Sequence, residues 1–324
     1  MGVSFECLQR CAAETGFQPG ILEKVVRLGE LAGDIARHPR LGEALALKGG
    51  TPLNLAFGPP RRLSVDLDYN YVAQVDRGAM LADRPLIEEA ATVLAERRGY
   101  RVQRSANAFA GRKLHLHYRS VLGMGGVIQV DINYLYRLPL DGIEYRTLWQ
   151  PGELDRPRVA VVGLPELLVG KLLALLDRGS PRDAWDVTGL SGAAAETLAT
   201  PRFRQLFIAL AATLDRPLST YLRVRLDGRL ADPLVADQLT PMLAIDEPPD
   251  ARALAEHAWD AVAGFLTPTP HEAEYSAAIE QGDLRLELLF PDQPSEAARL
   301  AGHPALQWKL ANIRRKPPGK GSRV

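Results

Sequence analysis

The sequence predicts an α+β protein in which helices precede and follow a strand-bearing region, and three observations carry that prediction. Residues 1 to about 47 place apolar side chains such as Ile21, Val25, Leu28 and Leu31 at helical spacing. The stretches Arg62–Val72, Arg112–Ser120 and Val127–Tyr136 instead alternate apolar and polar residues over strand lengths. From Leu164 onward the chain turns rich in alanine and leucine, with prolines at the breaks between helical segments.

Taken in order, the opening segment supplies two or three helices as a scaffold. Ala44–Lys48 is a short apolar strand that ends at Gly49-Gly50, and Thr51 with Pro52 suits the cap and first turn of a short helix. Gly58-Pro59-Pro60 ends that helix. Arg62–Val72 is a half-buried strand with Ser64, Asp66 and Asp68 on one side and Leu63, Val65, Leu67 and Tyr69 on the other. A helix over 84–98 follows. The next two strands form a hairpin across the turn Gly123-Met124-Gly125-Gly126. After Val159–Val162 the chain becomes helical, starting at Leu164–Leu176, so a domain boundary is placed near residue 163. Residues 1–163 then form the sheet-bearing domain and 164–313 a helical one. Residues 314–324 form a basic tail, rich in Gly and Pro, that is expected to stay flexible.

Composition sets outer limits. A chain of 324 residues, 46% hydrophobic and 24% charged, buries a substantial core. Its 39 basic and 39 acidic residues cancel, which excludes a molecule that binds polyanions through its overall charge. Cys7 and Cys11, four apart, read as reduced packing residues on one helical face. No apolar run reaches the length of a membrane span and no leader pattern is present, so a cytoplasmic location is expected.

The candidate chemistry lies in Gly49-Gly50-Thr51, Asp66-Leu67-Asp68 and Asp131. A glycine turn opening a helix presents unpaired N–H groups to a phosphate, and the Thr51 hydroxyl adds a donor. Carboxylates at i and i+2 on a strand point the same way, and a divalent cation such as Mg²⁺, or Mn²⁺, relieves their repulsion. Asp131, central in the apolar strand Val127–Tyr134, would be the third ligand of a two-metal site, one ion activating an attacking hydroxyl and the other gripping a triphosphate. An Asp-x-Asp triplet alone is expected by chance about once in such a chain, so placement carries the inference. Strands that spend interior positions on Asp, a residue depleted in strands, call for a reason.

These residues lead to a family. Leu47-Lys-Gly-Gly-Thr-Pro-Leu-Asn-Leu55 followed by Arg61-Arg-Leu-Ser-Val-Asp-Leu-Asp68 resembles the AbiEii/AbiGii toxin family of bacterial nucleotidyltransferases, which includes the MenT toxins. Lys171 in Pro165–Lys171 and the run Arg182-Asp-Ala-Trp-Asp186 match its later block, so the resemblance spans roughly residues 45 to 190. It implies a DNA polymerase β-like nucleotidyltransferase domain, a mixed sheet flanked by helices, followed by a largely helical C-terminal domain. It also implies an enzyme that acts as the toxin of a toxin–antitoxin or phage-defence system, with an NTP substrate, a cognate antitoxin and, in several members, the tRNA acceptor end as target. By that resemblance Asp66 and Asp68 bind metal, Gly50 and Thr51 hold the nucleotide phosphates, Lys171 neutralises triphosphate charge and Asp186 closes the site. Gly49 and Ser64 complete the expected nucleotide-binding set. Thr51 stands where the wider superfamily has serine, and the spacing to Asp66 is stretched.

Read by itself, Lys171 lies on an apolar segment, where an ammonium either meets an anion or snorkels to the surface. Ser180, Pro181 and Asp183 resemble the start of a helix, which gives Asp183 a capping role and makes Asp186 the better functional candidate. Lys113, His115, His117 and Arg119 share one face of a strand, either solvated or turned toward nucleotide or RNA. Trp308, Lys309, Arg314, Arg315, Lys316, Lys320 and Arg323 form a basic patch that either stacks on RNA or only solubilises. A protein or small-molecule acceptor, and a non-catalytic nucleotide- or RNA-binding module, are the competing functions at this stage. Three mutually repelling acids speak against the module.

Overall fold

The computed structural model describes residues 3–244 and 248–315. Three helices open the chain: α1 (Phe5–Thr15), α2 (Pro19–Arg37) and α3 (Pro39–Ala44). Ser4 caps α1 by accepting from the Cys7 N–H, Gly16 ends it in a left-handed conformation at φ 75°, and prolines start α2 and α3. Both cysteines lie on α1, unpaired, with Cys11 buried.

These helices back a mixed sheet of seven strands: β1 (Leu45–Lys48), β2 (Asp66–Tyr71), β3 (Arg101–Arg104), β4 (Gly111–Arg119), β5 (Gly125–Asn133), β6 (Ile143–Thr147) and β7 (Arg158–Val162). Their spatial order is β3-β4-β5-β2-β1-β7-β6. The β1–β7 and β2–β5 pairs are parallel and the others antiparallel. Helix α4 (Gly50–Leu55) links β1 to β2, and α5 (Arg77–Arg97) links β2 to β3. One sheet face, with Leu67, Tyr69, Leu114, Leu116, Ile128, Val130 and Ile132, is buried in a single core cluster with Leu28 and Ile35 of α2 and Ile87 of α5. Strand alternation therefore turns Asp66, Asp68 and Asn70 of β2 to the opposite face.

The second half is helical, as predicted. It comprises α6 (Leu164–Asp177), α7 (Pro181–Thr188), α8 (Ala193–Leu198), α9 (Pro201–Ala211), α10 (Arg223–Asp227), α11 (Asp232–Gln238), α12 (Ala251–Ala263), α13 (Pro270–Glu280), α14 (Pro294–Ala301) and α15 (Pro304–Arg315). A second core cluster of Leu168, Leu172, Phe203, Phe207, Leu254 and Phe290 holds these helices together. Helix α6 meets the sheet through Glu166, whose two oxygens accept from Asn70 Nδ2 and the Leu140 N–H, each at 2.8 Å. No described helix is long and apolar enough to cross a membrane.

Several boundaries differ from the sequence reading. The strand starts at Asp66 rather than Arg62 because the Leu63 N–H is taken by the Met242 carbonyl at 2.8 Å and Arg62 turns inward. Helix α5 begins seven residues earlier than expected, at Arg77, because Asp76 caps it by accepting from the Ala79 N–H; Pro85 is accommodated inside it. Strands β3 and β6 escaped prediction, since Arg-Val-Gln-Arg and Ile-Glu-Tyr-Arg-Thr are edge strands with little apolar patterning. The expected tail boundary at 314 falls inside α15, where Arg314 donates to the Gly282 carbonyl; residues 316–324, with Lys316, Lys320 and Arg323, lie outside the described residues.

Burial pushes the Glu166 carboxyl up to about 7, against the pull of its hydrogen bonds. The folded state therefore holds a proton that the unfolded chain has released, so this contribution to stability is complete below pH 4.5 and is lost as pH rises through 7. Glu166→Gln should remove that slope: the wild type loses on the order of 3 kcal/mol relative to the variant between pH 5 and 8, read by denaturant unfolding.

Candidate active site

The Gly49–Thr51 turn stands against the strand that bears the carboxylates. Gly49 adopts φ 77°, and a Cβ there would stand 2.7 Å from Asp68 Oδ2; a Cβ on Gly50 would meet Arg62 Nη2 at 2.8 Å. Glycine is required at Gly49 by both backbone conformation and close approach. The helix cap is Gly49 rather than Thr51. Thr51 is buried, and its hydroxyl lies 2.5 Å from the Asp66 carbonyl and 3.0 Å from Ser64 Oγ. Thr51 and Ser64, expected to offer hydroxyls to phosphate, are both buried, and the Thr51 hydroxyl pins the turn to the start of β2. The turn's backbone at Gly49 and Gly50 stands next to them.

Parallel pairing of β2 with β5 sets Asp66 opposite Gln129 and Asp68 opposite Asp131, while antiparallel pairing with β1 sets Lys48 opposite Asp68. The three carboxylates thus share one face, each near a cation. Arg182 Nη1 lies 3.7 Å from Asp66 Oδ2, and Lys113 Nζ lies 3.7 Å from Asp131 Oδ2. Burial pushes the Asp66 and Asp131 carboxyls above the usual range, and the neighbouring Asp68 charge adds to the rise in each. Among the described residues no three acidic, histidine or cysteine side chains converge as a closed metal cage. Asp131 Oδ2 lies 3.7 Å from Lys113 Nζ, so the three carboxylates share a face without closing on one point. The donor chemistry fits a divalent cation, because hard carboxylate oxygens that share a face and repel one another are the ligands such an ion takes.

Behind the turn lies a buried ionic network. Arg62, 3% exposed, grips Asp186 through Nε and Nη2, each at 2.7 Å. Lys171 Nζ sits 2.8 Å from Asp186 Oδ2 and 2.9 Å from Asp183 Oδ1. Asn54 of α4 donates to Asp186 at 3.0 Å, and Arg178 and Ser180 donate to Asp183 at 2.6 Å each. Burial opposes ionisation of both acids, yet Lys171 and then Arg62 hold the Asp186 carboxyl below its ordinary value, and Lys171 with Arg178 does the same for Asp183.

A family model of the AbiEii nucleotidyl transferase toxins of type IV toxin–antitoxin systems matches residues 33–264, more than half of the chain. The chain belongs to this family. Its structure is similar to MenT4, a nucleotidyltransferase toxin from Mycobacterium tuberculosis H37Rv, with a TM-score of 0.61 and 18% identity over 92% of this chain and 99% of that one. That likeness shows the mixed-sheet fold that the resemblance implied. A search among curated proteins returns no match.

Within this AbiEii chain, the Gly49-Gly50 turn adjoins Asp68, and Asp66, Asp68 and Asp131 share one face of the sheet. Lys171 and Asp186 lie in the buried ionic network next to that turn. Lys171 is 6% exposed with its ammonium between two carboxylates, and Asp186 is saturated by Arg62, Lys171 and Asn54. They stand beside the turn, where a Cβ on Gly50 would lie 3.8 Å from Asp186 Oδ2. Ser180 caps α7 by accepting from the Asp183 N–H at 3.3 Å, while the Asp183 carboxylate accepts from the Ser180 hydroxyl and is Lys171's second partner. Arg62, Asn54, Lys48 and Arg182 were not singled out from sequence. Only an arginine spent just ahead of a buried strand hinted at Arg62, since its partner lies 124 residues away.

Two contrasting variants follow. Asp186→Ala leaves Arg62 and Lys171 short of their shared partner and should destabilise the fold by about 3–5 kcal/mol. Asp68→Ala, which removes one of three repelling acids, should stay within about 1 kcal/mol of wild type while activity is lost. Thermal unfolding beside a turnover assay checks both, and a misfolded Asp68→Ala protein would sink the assignment.

Proposed function

We propose that this AbiEii toxin transfers a nucleoside monophosphate from an NTP to a hydroxyl of RNA, the 3′ end of tRNA, with Mg²⁺ or Mn²⁺ held by Asp66, Asp68 and Asp131. The observation that carries this reading is the placement of Asp68 between the Gly49 turn and Asp131, with Asp66 two residues away on the same face. When bound, the metal supplies Lewis-acid stabilisation to the triphosphate and the attacking oxygen. The chain's own residues do the rest. The backbone at Gly49 and Gly50 receives the phosphates at a distance that no side chain would permit. Arg182, Lys48 and Lys113 supply cations on this face; Arg182 and Lys113 stand 3.7 Å from Asp66 and Asp131, close enough for charge but not hydrogen-bonded. The acceptor oxygen attacks the α-phosphorus, the bond to the β-phosphate oxygen breaks, pyrophosphate leaves and the hydroxyl proton departs to solvent.

In a cell the activity would act in the cytoplasm as growth arrest or phage defence, under a cognate antitoxin; family membership supports that setting.

Incubation with Mg²⁺, each α-labelled NTP and total RNA should place label in tRNA with wild type and not with Asp68→Ala. Label on protein or on small molecules instead would overturn the RNA acceptor. Because metal ligands must be deprotonated and Asp66 and Asp131 hold their protons to higher pH than ordinary carboxyls, Mn²⁺ affinity should fall on acidification, starting at a higher pH than for ordinary carboxylate ligands. Calorimetric titration of Mn²⁺ into the protein and into a model carboxylate chelator over the same acidic pH series reads this, and coincident profiles would contradict it.

A further inference from the structure

The face that carries Asp66, Asp68 and Asp131 continues outward past β5. Pairing of β5 with β4 sets Asp131 opposite Lys113, Gln129 opposite His115, Val127 opposite His117 and Gly125 opposite Arg119. Pairing of β4 with β3 sets His115 opposite Gln103 and His117 opposite Arg101. Directly opposed residues share a face, so the row of carboxylates and the row of basic and imidazole side chains belong to one surface. Lys113, Arg119 and Arg101 are exposed, His115 and His117 half-buried, and Val127 at the centre is 39% exposed, so nothing covers this part of the sheet.

Charge is distributed unequally between the two faces. On the helix side, Arg84 and Arg112 both meet Glu88, at 2.7 and 2.8 Å, and Arg104 meets Glu89 at 2.5 Å. On the open side, neither the Arg101 nor the Arg119 side chain has an ion-pair or hydrogen-bond partner among the described residues, and Lys113 reaches only Asp131. Neither β3 nor β4 contains an acidic residue. Arginines left unpaired on an open face, on a molecule with 39 acids to match its 39 bases, mark a local anion-binding surface.

We propose that this open face of β3 and β4 is the track on which the phosphate backbone of the acceptor RNA lies while its end reaches Asp68 and Asp131. The proposal rests on the reading that the acceptor is RNA. Alternate residues on a strand repeat at about 6.8 Å, so Lys113 to Arg119 extends over roughly 20 Å leading away from the carboxylates. Arginine planes and imidazole rings also stack on unpaired bases, which an acidic polypeptide would not offer them. The Lys113 end touches Asp131, so the track joins the site without a gap.

The test uses the full chain and fluorescence anisotropy of end-labelled tRNA against Arg101→Glu/Arg119→Glu and Arg101→Lys/Arg119→Lys. The glutamate pair should weaken tRNA binding at least tenfold and reduce the slope of log affinity on log salt by about 1.5 to 2, while the lysine pair stays near wild type. Mg²⁺–NTP binding by calorimetry should be equal in all three proteins. Should the glutamate pair lower the melting temperature, the glutamine pair is read in its place. Unchanged affinity and slope, or displacement of tRNA by polyglutamate more effectively than by unlabelled RNA, would overturn the track. Label reaching tRNA with an unchanged KM in the glutamate pair would overturn the track and leave the RNA acceptor standing. Variant-sensitive tRNA binding with label found only on another acceptor would support the surface and overturn the acceptor.

Discussion

Two buried carboxylates, Asp183 and Asp186, and the cations around them hold the two halves of this protein in register with its candidate active site. Asp186 of α7 receives Arg62 from the segment before β2, Lys171 from α6 and Asn54 from α4, so four chain segments meet at one side chain. A buried pair of this kind contributes little net stability against an apolar alternative, but loss of one member leaves an uncompensated charge. Its value here is positional. The hydrophobic clusters of the sheet and of the C-terminal helices are apolar on both sides and would tolerate small slips, whereas bidentate Arg62–Asp186 geometry does not.

The turn at Gly49 lies between that network and the carboxylates. Asp68 on one side and Arg62 on the other leave no volume for a side chain at Gly49 or Gly50. Thr51, tied to the backbone of Asp66, locks the same turn to β2. Burial, with Asp68 as a neighbour, raises the Asp66 and Asp131 carboxyls, and Arg182 and Lys113 offset part of that cost.

Much of this was legible in the sequence where the signal was local. The helical opening, the Asp66–Asp68 strand, the β4–β5 hairpin and the Ser180 cap each rest on periodicity or on residues within a few positions of one another. The family resemblance added Lys171 and Asp186, which no local pattern would have joined to the rest. What stayed hidden depends on partners far along the chain. Nothing local in the sequence tells that Thr51 meets Ser64 or that Lys171 stands between Asp183 and Asp186. Strands β3 and β6 were invisible for another reason: edge strands bury only part of their surface and need no strict alternation.

The long reach of Arg62 to Asp186 also sets an order in time. A ribosome releases residues 49–68, with the turn and two of the acids, well before α7 exists. Until residue 186 has emerged and folded back, Arg62 lacks its anchor and the Gly50 turn its support. An unfinished chain thus holds the acids without the partner that fixes Arg62 beside their turn.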